Sequence, residues 1–442
     1  MKKINITFCS FPDYAGNAKA LYEYMVRRYK NNMNYTWIVY ENQNQERLKK
    51  IGVNAILIGS EEFKKYISKT NVFFTTQGNL DGDKIKTKNA IYIELWHGIG
   101  PKPIGFTQEK PTKDDIEGYS NISEIVDYFI VPSDFWKVVY GAIFKTEADR
   151  IKSFGMPLLD YFNNSNGKVN LSKILNKDVE KYEKIIMYMP TFKKGFNHND
   201  IETISKNIFN FRKEYDEEKL DRFLKKNNYL LCVKKHPGEQ AKLKFNDTNN
   251  IININEEMLS CNNLSVNEII NAFDLLITDY SSIGTEFIYL DRPVLFAVGD
   301  YDEYRKNRGI LFGNLDFWTP GPICQDIKQL TNELFKLLND STYYLDERIK
   351  YKKLWFNDIK DGGCDKICDF LFDDYQISKN VSSRKSLFSK YKLENEKYKG
   401  IIDEQIITIK KLTESDMELK LIKNSKGWKM LEKLRKLVKR SK

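Results

Sequence analysis

The sequence predicts an α/β protein with two Rossmann-like domains that face each other across a cleft, followed by a basic helical tail. Apolar, strand-like runs alternate with helix-like segments, which argues for parallel sheets covered by helices. The alternation stops at a polar stretch rich in Asn, Ser and Gly at 163–170 and then begins again. The end of the chain has a separate, cationic composition. We therefore expect domains at residues 1–168 and 169–377 and a tail at 378–442.

The first domain holds six runs that read as strands and two that read as helices. The strand-like runs are rich in apolar, β-branched and aromatic residues. The predicted strands are Ile4 to Phe8, Tyr35 to Tyr40, Ala55 to Ile58, Val72 to Thr75, Ala90 to Leu95 and Asp127 to Val131, and the predicted helices are Ala18 to Lys30 and Asp134 to Phe144.

The second domain repeats this pattern. Two such units joined by one linker predict a cleft, with ligands bound at the carboxyl ends of the strands. The predicted strands are Ile185 to Met189, Tyr229 to Val233, Ile251 to Ile254, Leu275 to Thr278 and Pro293 to Phe296, and the predicted helices are Glu217 to Lys226, Ser265 to Ala272 and Ser282 to Leu290.

The tail contains two helix-like patterns. Apolar residues from Tyr398 to Ile422 are spaced by threes and fours, with a break at Asp416, which suits a long helix or a short coiled coil. In the last twenty residues, nine Lys or Arg accompany a single acidic residue and an apolar side. This composition predicts a helix at a membrane surface, and a solvated dimerisation helix is the alternative. The predicted membrane-facing residues are Lys426, Trp428, Lys429, Leu431, Lys433, Leu434, Arg435 and Lys436.

The net charge of +10 resides in this tail. From Lys379 to Lys442 the chain has 19 basic and 8 acidic residues, which leaves 52 basic and 53 acidic residues elsewhere. A nucleic-acid-binding body normally carries a basic excess of its own, so no nucleic-acid partner is expected.

The six cysteines are scattered, and no secretory signal or long apolar span is evident. We expect a reduced, cytoplasmic protein without a transmembrane helix.

Two of the three histidines lie in short motifs at predicted strand ends. His97 follows a strand in Trp96-His97-Gly98 and opens a loop rich in Gly and Pro, where backbone N–H groups can face an anion. His236 follows another strand in Lys234-Lys235-His236-Pro237, where cations beside an imidazole suit a phosphate-bearing ligand. A structural turn and a solvated charge pair are the alternative interpretations. Histidine titrates nearest neutral pH and is the usual general base or acid.

The third motif is the most informative. The strand Leu275 to Thr278 runs into Asp279-Tyr280-Ser281-Ser282, and the paired serines open a helix that includes Glu286. Hydroxyls and free N–H groups at a helix start favour an anion. Simple N-capping by Ser281 is the alternative, and it explains one serine but not the cluster.

Further hydroxyls and cations follow other strands or lie in later loops, namely Thr191, Lys193 and Arg308. Cys364 and Cys368 have no partner cysteine or nearby histidine, so no metal site is expected.

Together these motifs make the chain resemble the CDP-glycerol glycerophosphotransferase family, which includes teichoic-acid primases and polymerases and capsule polyol-phosphate transferases. The resemblance spans about residues 1 to 372. The matching stretches are Trp96 to Gly105, Tyr188 to Lys193, Lys234 to Pro237, Thr278 to Pro293, Arg308-Gly309 with Thr319 to Pro322, and Asn357 to Gly363.

The resemblance implies a GT-B-type fold and a role for each matching residue. His97 would be the general base on the acceptor side, with Asn17, Gly98 and Lys102 nearby. His236 would stabilise the donor pyrophosphate or the leaving group. The donor phosphates would be held or flanked by Thr191, Lys193, Lys234, Thr278, Asp279, Ser281, Ser282, Glu286 and Arg308.

The implied reaction moves glycerol phosphate, or a related polyol phosphate, from CDP-glycerol to a hydroxyl of a membrane-linked teichoic-acid or capsule acceptor, and it releases CMP. The resemblance implies no tightly bound cofactor and leaves assistance by Mg²⁺ open. The partners would be the lipid-linked acceptor and an anionic membrane surface at the cytoplasmic face, which the basic tail suits. A homo-oligomer formed through the C-terminal helix is the alternative use of the tail.

Two departures from the family pattern concern the acceptor. The loop after Trp-His-Gly usually reads Thr-Pro-Leu-Lys but is Ile99-Gly100-Pro101-Lys102 here, and a Gly-Tyr-Pro-Arg turn appears as Gly155-Met156-Pro157-Leu158. The polyol, the polymer, and the choice between primase and polymerase are left open. Two other functions are also consistent with the sequence: a GT-B glycosyltransferase that uses a CMP-activated sugar, with Asp13 or Glu94 as its base, and a non-catalytic membrane-associated scaffold.

Overall fold

The computed structural model describes residues 3–78, 90–191, 208–209, 211, 217–235 and 248–374, together with six positions between 407 and 418. Lys193, His198, His236 and the predicted membrane-facing residues at 426–436 lie outside the described residues.

The first sheet has seven strands, all parallel, in the order β3-β2-β1-β4-β5-β6-β7. Most of these strands are buried on both faces, which explains their nearly continuous apolar sequences. The strands are β1 Ile4–Cys9, β2 Met33–Val39, β3 Ala55–Leu57, β4 Val72–Thr75, β5 Ile91–Glu94, β6 Tyr128–Ile130 and β7 Ile151–Lys152.

The second sheet has six parallel strands in the order β10-β9-β8-β11-β12-β13. Counted within its own unit, this order is 3-2-1-4-5-6, the doubly wound order of dinucleotide-binding domains. The strands are β8 Lys184–Tyr188, β9 Tyr229–Val233, β10 Ile251–Asn253, β11 Leu275–Thr278, β12 Val294–Ala297 and β13 Ile323–Cys324.

Helices connect the strands and cover the sheets. In the described part of the chain they are α1 Gly16–Tyr29, α2 Asn42–Lys50, α3 Glu61–Ile67, α4 Lys113–Ile125, α5 Asp134–Phe144, α6 Leu159–Asn164, α7 Gly167–Leu175, α8 Glu217–Asn227, α9 Glu256–Cys261, α10 Ser282–Phe287, α11 Tyr301–Asn307, α12 Ile327–Asn339, α13 Leu345–Phe356 and α14 Cys364–Cys368.

The two parallel sheets confirm the predicted α/β fold with two Rossmann-like units. One predicted helix has a different form, because the segment from Ser265 to Ala272 consists of two 3₁₀ turns, Val266–Glu268 and Ile270–Ala272. The Glu268 carboxylate accepts hydrogen bonds from the Ser265 N–H at 2.8 Å and the Ser265 hydroxyl at 2.9 Å, which closes the first turn tightly.

The end of the described chain returns to the first sheet. Cys364, Ile367, Cys368 and Leu371 are buried in the same apolar cluster as residues of β1, β2, β4 and β5. Residues 364–371 follow the second sheet in sequence and therefore link the two units. The domain limits themselves stay a prediction.

The order of strands reverses between β1 and β4 in the first sheet and between β8 and β11 in the second. Ligands of doubly wound sheets bind beside such reversals, at the carboxyl ends of the strands. Most of the predicted site residues follow the carboxyl ends of strands in one of the two sheets.

Candidate active site

His97 lies three residues beyond β5, on a loop whose backbone is constrained. Trp96 takes a positive φ of 52° and is buried, and its indole stacks on the imidazole with 4.6 Å between ring centroids. The His97 Nδ1 atom is 2.9 Å from the Thr76 carbonyl oxygen. A carbonyl oxygen only accepts, so we assign the imidazole proton to Nδ1, and Nε2 is left with its lone pair. This tautomer is the one that a general base requires.

The surroundings of His97 keep it neutral. The side chain is accessible to solvent yet lies among many protein atoms, and this desolvation lowers its pKa below the ordinary value of 6.5. The hydrogen bond to Thr76 opposes the shift, and the nearby Lys102 cation adds to it. A neutral imidazole at physiological pH can accept a proton.

Lys102 and Arg308 bring positive charge to the same loop. Burial, together with the nearby charge of Arg308, lowers the pKa of Lys102 to about 8. The two loops also meet through their backbones, because the Leu311 N–H donates to the Pro101 carbonyl at 2.7 Å. A lysine of the first unit and an arginine of the second therefore lie close together at the boundary between the units.

The loop of His97 contacts Ser282 directly. A methyl group on Gly98 would stand 2.6 Å from the Ser282 Oγ, and one on Gly100 would stand 2.9 Å from the Ser282 Cα. Any side chain larger than hydrogen at these two positions would push the loop away from α10. The glycines of the motif thus permit the close approach of the two domains.

At the partly exposed start of α10, the Ser281 hydroxyl and the first backbone N–H groups of the helix can face a ligand. Ser281 is the N-cap residue of α10, but its hydroxyl makes no capping hydrogen bond, so capping does not explain its presence. Both serines are partly exposed. Glu286 is buried and accepts hydrogen bonds from the Ser282 hydroxyl and the Ile99 N–H, so it supports the serine from behind.

Thr278, Asp279 and Thr191 hold the ends of β8 and β11 together. The Thr278 hydroxyl is fully buried and donates to the Met189 carbonyl at 2.8 Å, so it is not presented to solvent as a phosphate contact. The Asp279 carboxylate accepts from the N–H groups of Thr191, at 2.7 Å, and Tyr280, at 2.6 Å. The Thr191 hydroxyl is buried without a partner among the described residues.

Lys234 also has a structural partner. Its ammonium donates to the Glu256 carboxylate at 2.8 Å, and its side chain is almost fully buried. This ion pair neutralises the cation that the sequence suggested for a phosphate. Pairing with a residue 22 positions away had no local signal in the sequence.

Asn17 supports the backbone of the His97 loop from the protein interior and is not exposed in the cleft. The side chain is fully buried; its amide group donates to the carbonyls of Leu95, at 3.1 Å, and Trp96, at 2.9 Å, and its oxygen accepts from the Leu158 N–H at 3.0 Å. Asn17 therefore fixes the loop and does not contact an acceptor. Leu158, which donates the last of these bonds, stands at the position where the family usually has arginine, and it is buried.

The two alternative carboxylates are engaged elsewhere. Glu94 is fully buried and accepts from the Trp96 N–H at 2.7 Å. Asp13 accepts from the N–H groups of Tyr40 and Glu41 and from the Asn44 amide, which ties the loop after β1 to α2. Neither geometry favours the role of a base in a sugar transferase.

Thr76 is the residue of this site that sequence reasoning missed. It acts through its backbone carbonyl, which any residue type could supply, so the sequence held no signal for it.

Across the described ranges, no group of three or more His, Cys, Asp or Glu side chains is arranged to hold a metal ion. None of the described helices is long and apolar enough to cross a bilayer.

The fold and the site define a transferase of phosphate-containing groups with two Rossmann-like units. The family profile described as CDP-glycerol:poly(glycerophosphate) glycerophosphotransferase matches residues 1–373, and the chain belongs to this family. The resemblance noted from the motifs is thereby confirmed.

Similar proteins agree with this membership. A teichoic acid glycerol-phosphate primase of Bacillus subtilis is 30% identical over 56% of this chain, and the match spans 60% of that primase. A teichoic acid poly(glycerol phosphate) polymerase of Bacillus spizizenii is 26% identical over 77% of this chain and 85% of its own length. A solved structure of the wall teichoic acid polymerase TagF superposes with a TM-score of 0.69 at 24% identity, and covers 86% of this chain and 90% of that one, which confirms the fold.

Proposed function

We propose that the protein transfers glycerol phosphate, or a related polyol phosphate, from CDP-glycerol to a hydroxyl of a membrane-linked teichoic-acid or capsule acceptor. One observation carries this proposal: a neutral histidine with a free Nε2 lies on a loop that touches Ser282 across the domain boundary. A base and a phosphate-binding serine are thereby held close enough to act on one substrate pair. The family description supplies CDP-glycerol as the donor that this site suits.

In the proposed reaction the acceptor hydroxyl attacks the phosphorus that carries glycerol. A new oxygen–phosphorus bond forms, the hydroxyl proton passes to His97 Nε2, and the bond to the bridging oxygen breaks, so that its electron pair leaves with CMP. Most of the rate enhancement in phosphoryl transfer comes from positioning and charge neutralisation. Ser281, Ser282, Lys102 and Arg308 would provide the contacts and the charge. For His236 and Lys193, the donor-side roles stay predictions.

The direct test incubates the full chain with CDP-glycerol, CDP-ribitol or a CMP-sugar, each with a lipid-linked acceptor, and measures CMP release and product. CMP release and polymer formation with CDP-glycerol are expected. An acceptor with no polyol phosphate, compared with one already carrying glycerol phosphate, distinguishes primase from polymerase. Turnover of the CMP-sugar alone would refute the proposal.

Lys102 gives the proposed reaction a dependence on pH. A lysine with a pKa of about 8 is charged below that pH and neutral above it. Since the charge would offset the donor phosphates, kcat/KM is expected to fall as the pH rises through 8. The Lys102→Arg variant stays charged, so its kcat/KM should hold to higher pH. Steady-state rates between pH 6 and pH 10 provide the measurement.

A matched control for this experiment is Lys64→Arg, at an exposed position of α3. In Lys64→Arg, kcat/KM should fall over the same alkaline pH range as in the wild type. If Lys102→Arg shows the same alkaline fall as Lys64→Arg, the charge of Lys102 is not the group that titrates.

We also propose that the tail brings the enzyme to the cytoplasmic face of the membrane. Each Lys or Arg near an anionic leaflet contributes on the order of 1 kcal/mol, and the segment from Asn424 to Lys442 contains eight of them with an apolar side. Deleting this segment should release the protein from vesicles that contain anionic lipid in a sedimentation assay. CMP formation with a water-soluble acceptor should persist.

The control variant exchanges Trp428 and Leu431 for Ser and keeps every charge. It should bind anionic vesicles more weakly than the wild type but more strongly than the deletion. Unchanged vesicle binding by the deletion would rule out the tail as the anchor, and a loss of dimer in the same variant would favour the dimerisation helix.

A further inference from the structure

The loop that carries His97 is held by two buried carboxyl groups, one from each domain unit. Glu94 of the first unit accepts from the N–H of Trp96, directly before His97, and from the N–H of Gly78. Glu286 of the second unit accepts from the N–H of Ile99, two residues after His97. The backbone N–H groups of Trp96 before His97 and of Ile99 after it are therefore each bonded to a buried carboxyl group.

Both carboxyl groups are almost fully buried. Glu94 and Glu286 have relative exposures of 0% and 3%. Each also retains one oxygen without a hydrogen-bond partner among the described residues, Oε2 of Glu94 and Oε1 of Glu286. Burial of a polar atom without a partner costs about 1–3 kcal/mol, so these two side chains are kept at a cost in stability. Costs of this kind are found where a side chain has a task other than stabilising the fold.

Glu286 differs from Glu94 because it also binds the donor side. Its carboxyl group accepts from the Ser282 hydroxyl, and its Oε1 lies 2.9 Å from the point where a methyl group on Gly98 would stand. One buried group thus contacts the serine proposed for the donor phosphates and the backbone of the base loop. A shift of Ser282 would be transmitted to Ile99 through a single side chain.

We propose that Glu286 is a positioning residue that sets the placement of His97 and couples it to Ser282. The inference rests on the proposed function in taking His97 as the base, but the contacts that carry it do not depend on the identity of the donor. Glu286 acts through His97 and is not itself a catalytic residue.

The protonation of Glu286 fits this role. Burial raises its pKa to about 8, and the bonds from Ile99 and Ser282 oppose the rise. Glu94 and Tyr140 are also buried nearby, and both carboxyl groups act electrostatically on Tyr140. A neutral carboxylic acid still offers a carbonyl oxygen as acceptor, so glutamine is a close mimic of the form present at neutral pH.

The first test is a double-mutant cycle with His97. Glu286→Ala should lower kcat by roughly 10²-fold, the effect expected of a misplacement of about 1 Å, with little change in KM. Glu286→Gln should recover at least half of that loss on a logarithmic scale. In a His97→Ala background, Glu286→Ala should cause no further loss, because the group it positions is gone. An equal loss in both backgrounds would overturn the proposal.

Glu147→Gln is the matched control, since Glu147 is another largely buried carboxyl group with one oxygen that lacks a hydrogen-bond partner among the described residues, and it bonds to Arg150 and not to the loop. Any loss of activity that it causes should be the same in both backgrounds. This separates positioning of His97 from a general effect of removing a buried carboxylate.

The second test needs no turnover and so stands even if CDP-glycerol is not the donor. The chain has three histidines, so imidazole resonances of a protein labelled at histidine can be assigned by single replacements. Glu286→Ala should move the pKa of His97 upward toward its ordinary value, because a loosened loop admits water. Glu147→Gln should leave it unchanged. An unchanged His97 titration in Glu286→Ala would overturn the inference, whereas absent CMP release in the wild type would refute only the proposed function.

Discussion

Replacing His97 with alanine is expected to lower turnover with CDP-glycerol by a factor of about 10² to 10⁴, the range of a general base. The physical reason is the free Nε2, which the bond from Nδ1 to the Thr76 carbonyl leaves as the proton acceptor. Donor affinity should be nearly unchanged, because His97 belongs to the acceptor-side loop. CMP release and donor binding, measured by calorimetry on the same preparations, provide the two readouts.

The expected acid dependence gives the same prediction a second check. A base must be neutral, so kcat/KM should fall as the pH drops through the pKa of His97, which desolvation holds below 6.5. The residual activity of His97→Ala should lose this acid limb. A control is His198→Ala, at the third histidine, which lies between Asn197 and Asn199 and belongs to none of the predicted motifs. Undiminished polymer synthesis by a stable His97→Ala protein would remove this residue from the mechanism.

The sequence predicted correctly which candidate residues lie just beyond the ends of strands. His97, Ser281 and Ser282 follow β5 and β11 as expected, because apolar runs mark buried parallel strands and their carboxyl ends gather ligands. Arg308 lies in irregular sequence, and its place beside Lys102 agrees with the expected cleft.

The sequence could not predict which polar groups use one another as partners. Lys234 is paired with Glu256, Thr278 with a backbone carbonyl, and Asn17 with the loop behind His97. These pairings arise from the packing of segments that are distant in sequence, and a residue's type does not reveal whether its polar atoms are already satisfied. The predicted set of phosphate contacts is therefore larger than the set that the fold leaves available.

A second expected result concerns the boundary between the two units, where Lys19 of α1 is fully buried. Its ammonium donates to the Glu268 carboxylate at 2.6 Å and to the Asn263 carbonyl at 2.8 Å, and the Tyr14 ring lies 5.1 Å away. Removing one partner of a buried ion pair leaves an uncompensated charge, which typically costs about 3–5 kcal/mol. We expect Lys19→Met to lower the free energy of unfolding by that amount, as measured by urea denaturation.

Two further variants separate the charge from the packing. Lys19→Met combined with Glu268→Gln also removes the buried Glu268 charge, and the carboxylate that remains, Glu23 at 3.9 Å from the Lys19 ammonium, is partly exposed, so the loss should be smaller than in Lys19→Met alone. Lys64→Met breaks an exposed pair with Glu61 on α3 and should leave the unfolding curve close to that of the wild type. If the double replacement is as unstable as Lys19→Met, the stabilisation comes from packing of the lysine stem and not from the ion pair.

The Lys19 pair also bears on activity, because α1 carries Asn17 two residues earlier. Asn17 holds the carbonyls of Leu95 and Trp96, so a displaced helix start would move the loop of His97. At urea concentrations below the denaturation midpoint, where the protein is folded, Lys19→Met should therefore have a lower kcat than the wild type. A variant at exposed Lys64 should not. A fully active Lys19→Met protein would show that α1 keeps Asn17 in place without this contact.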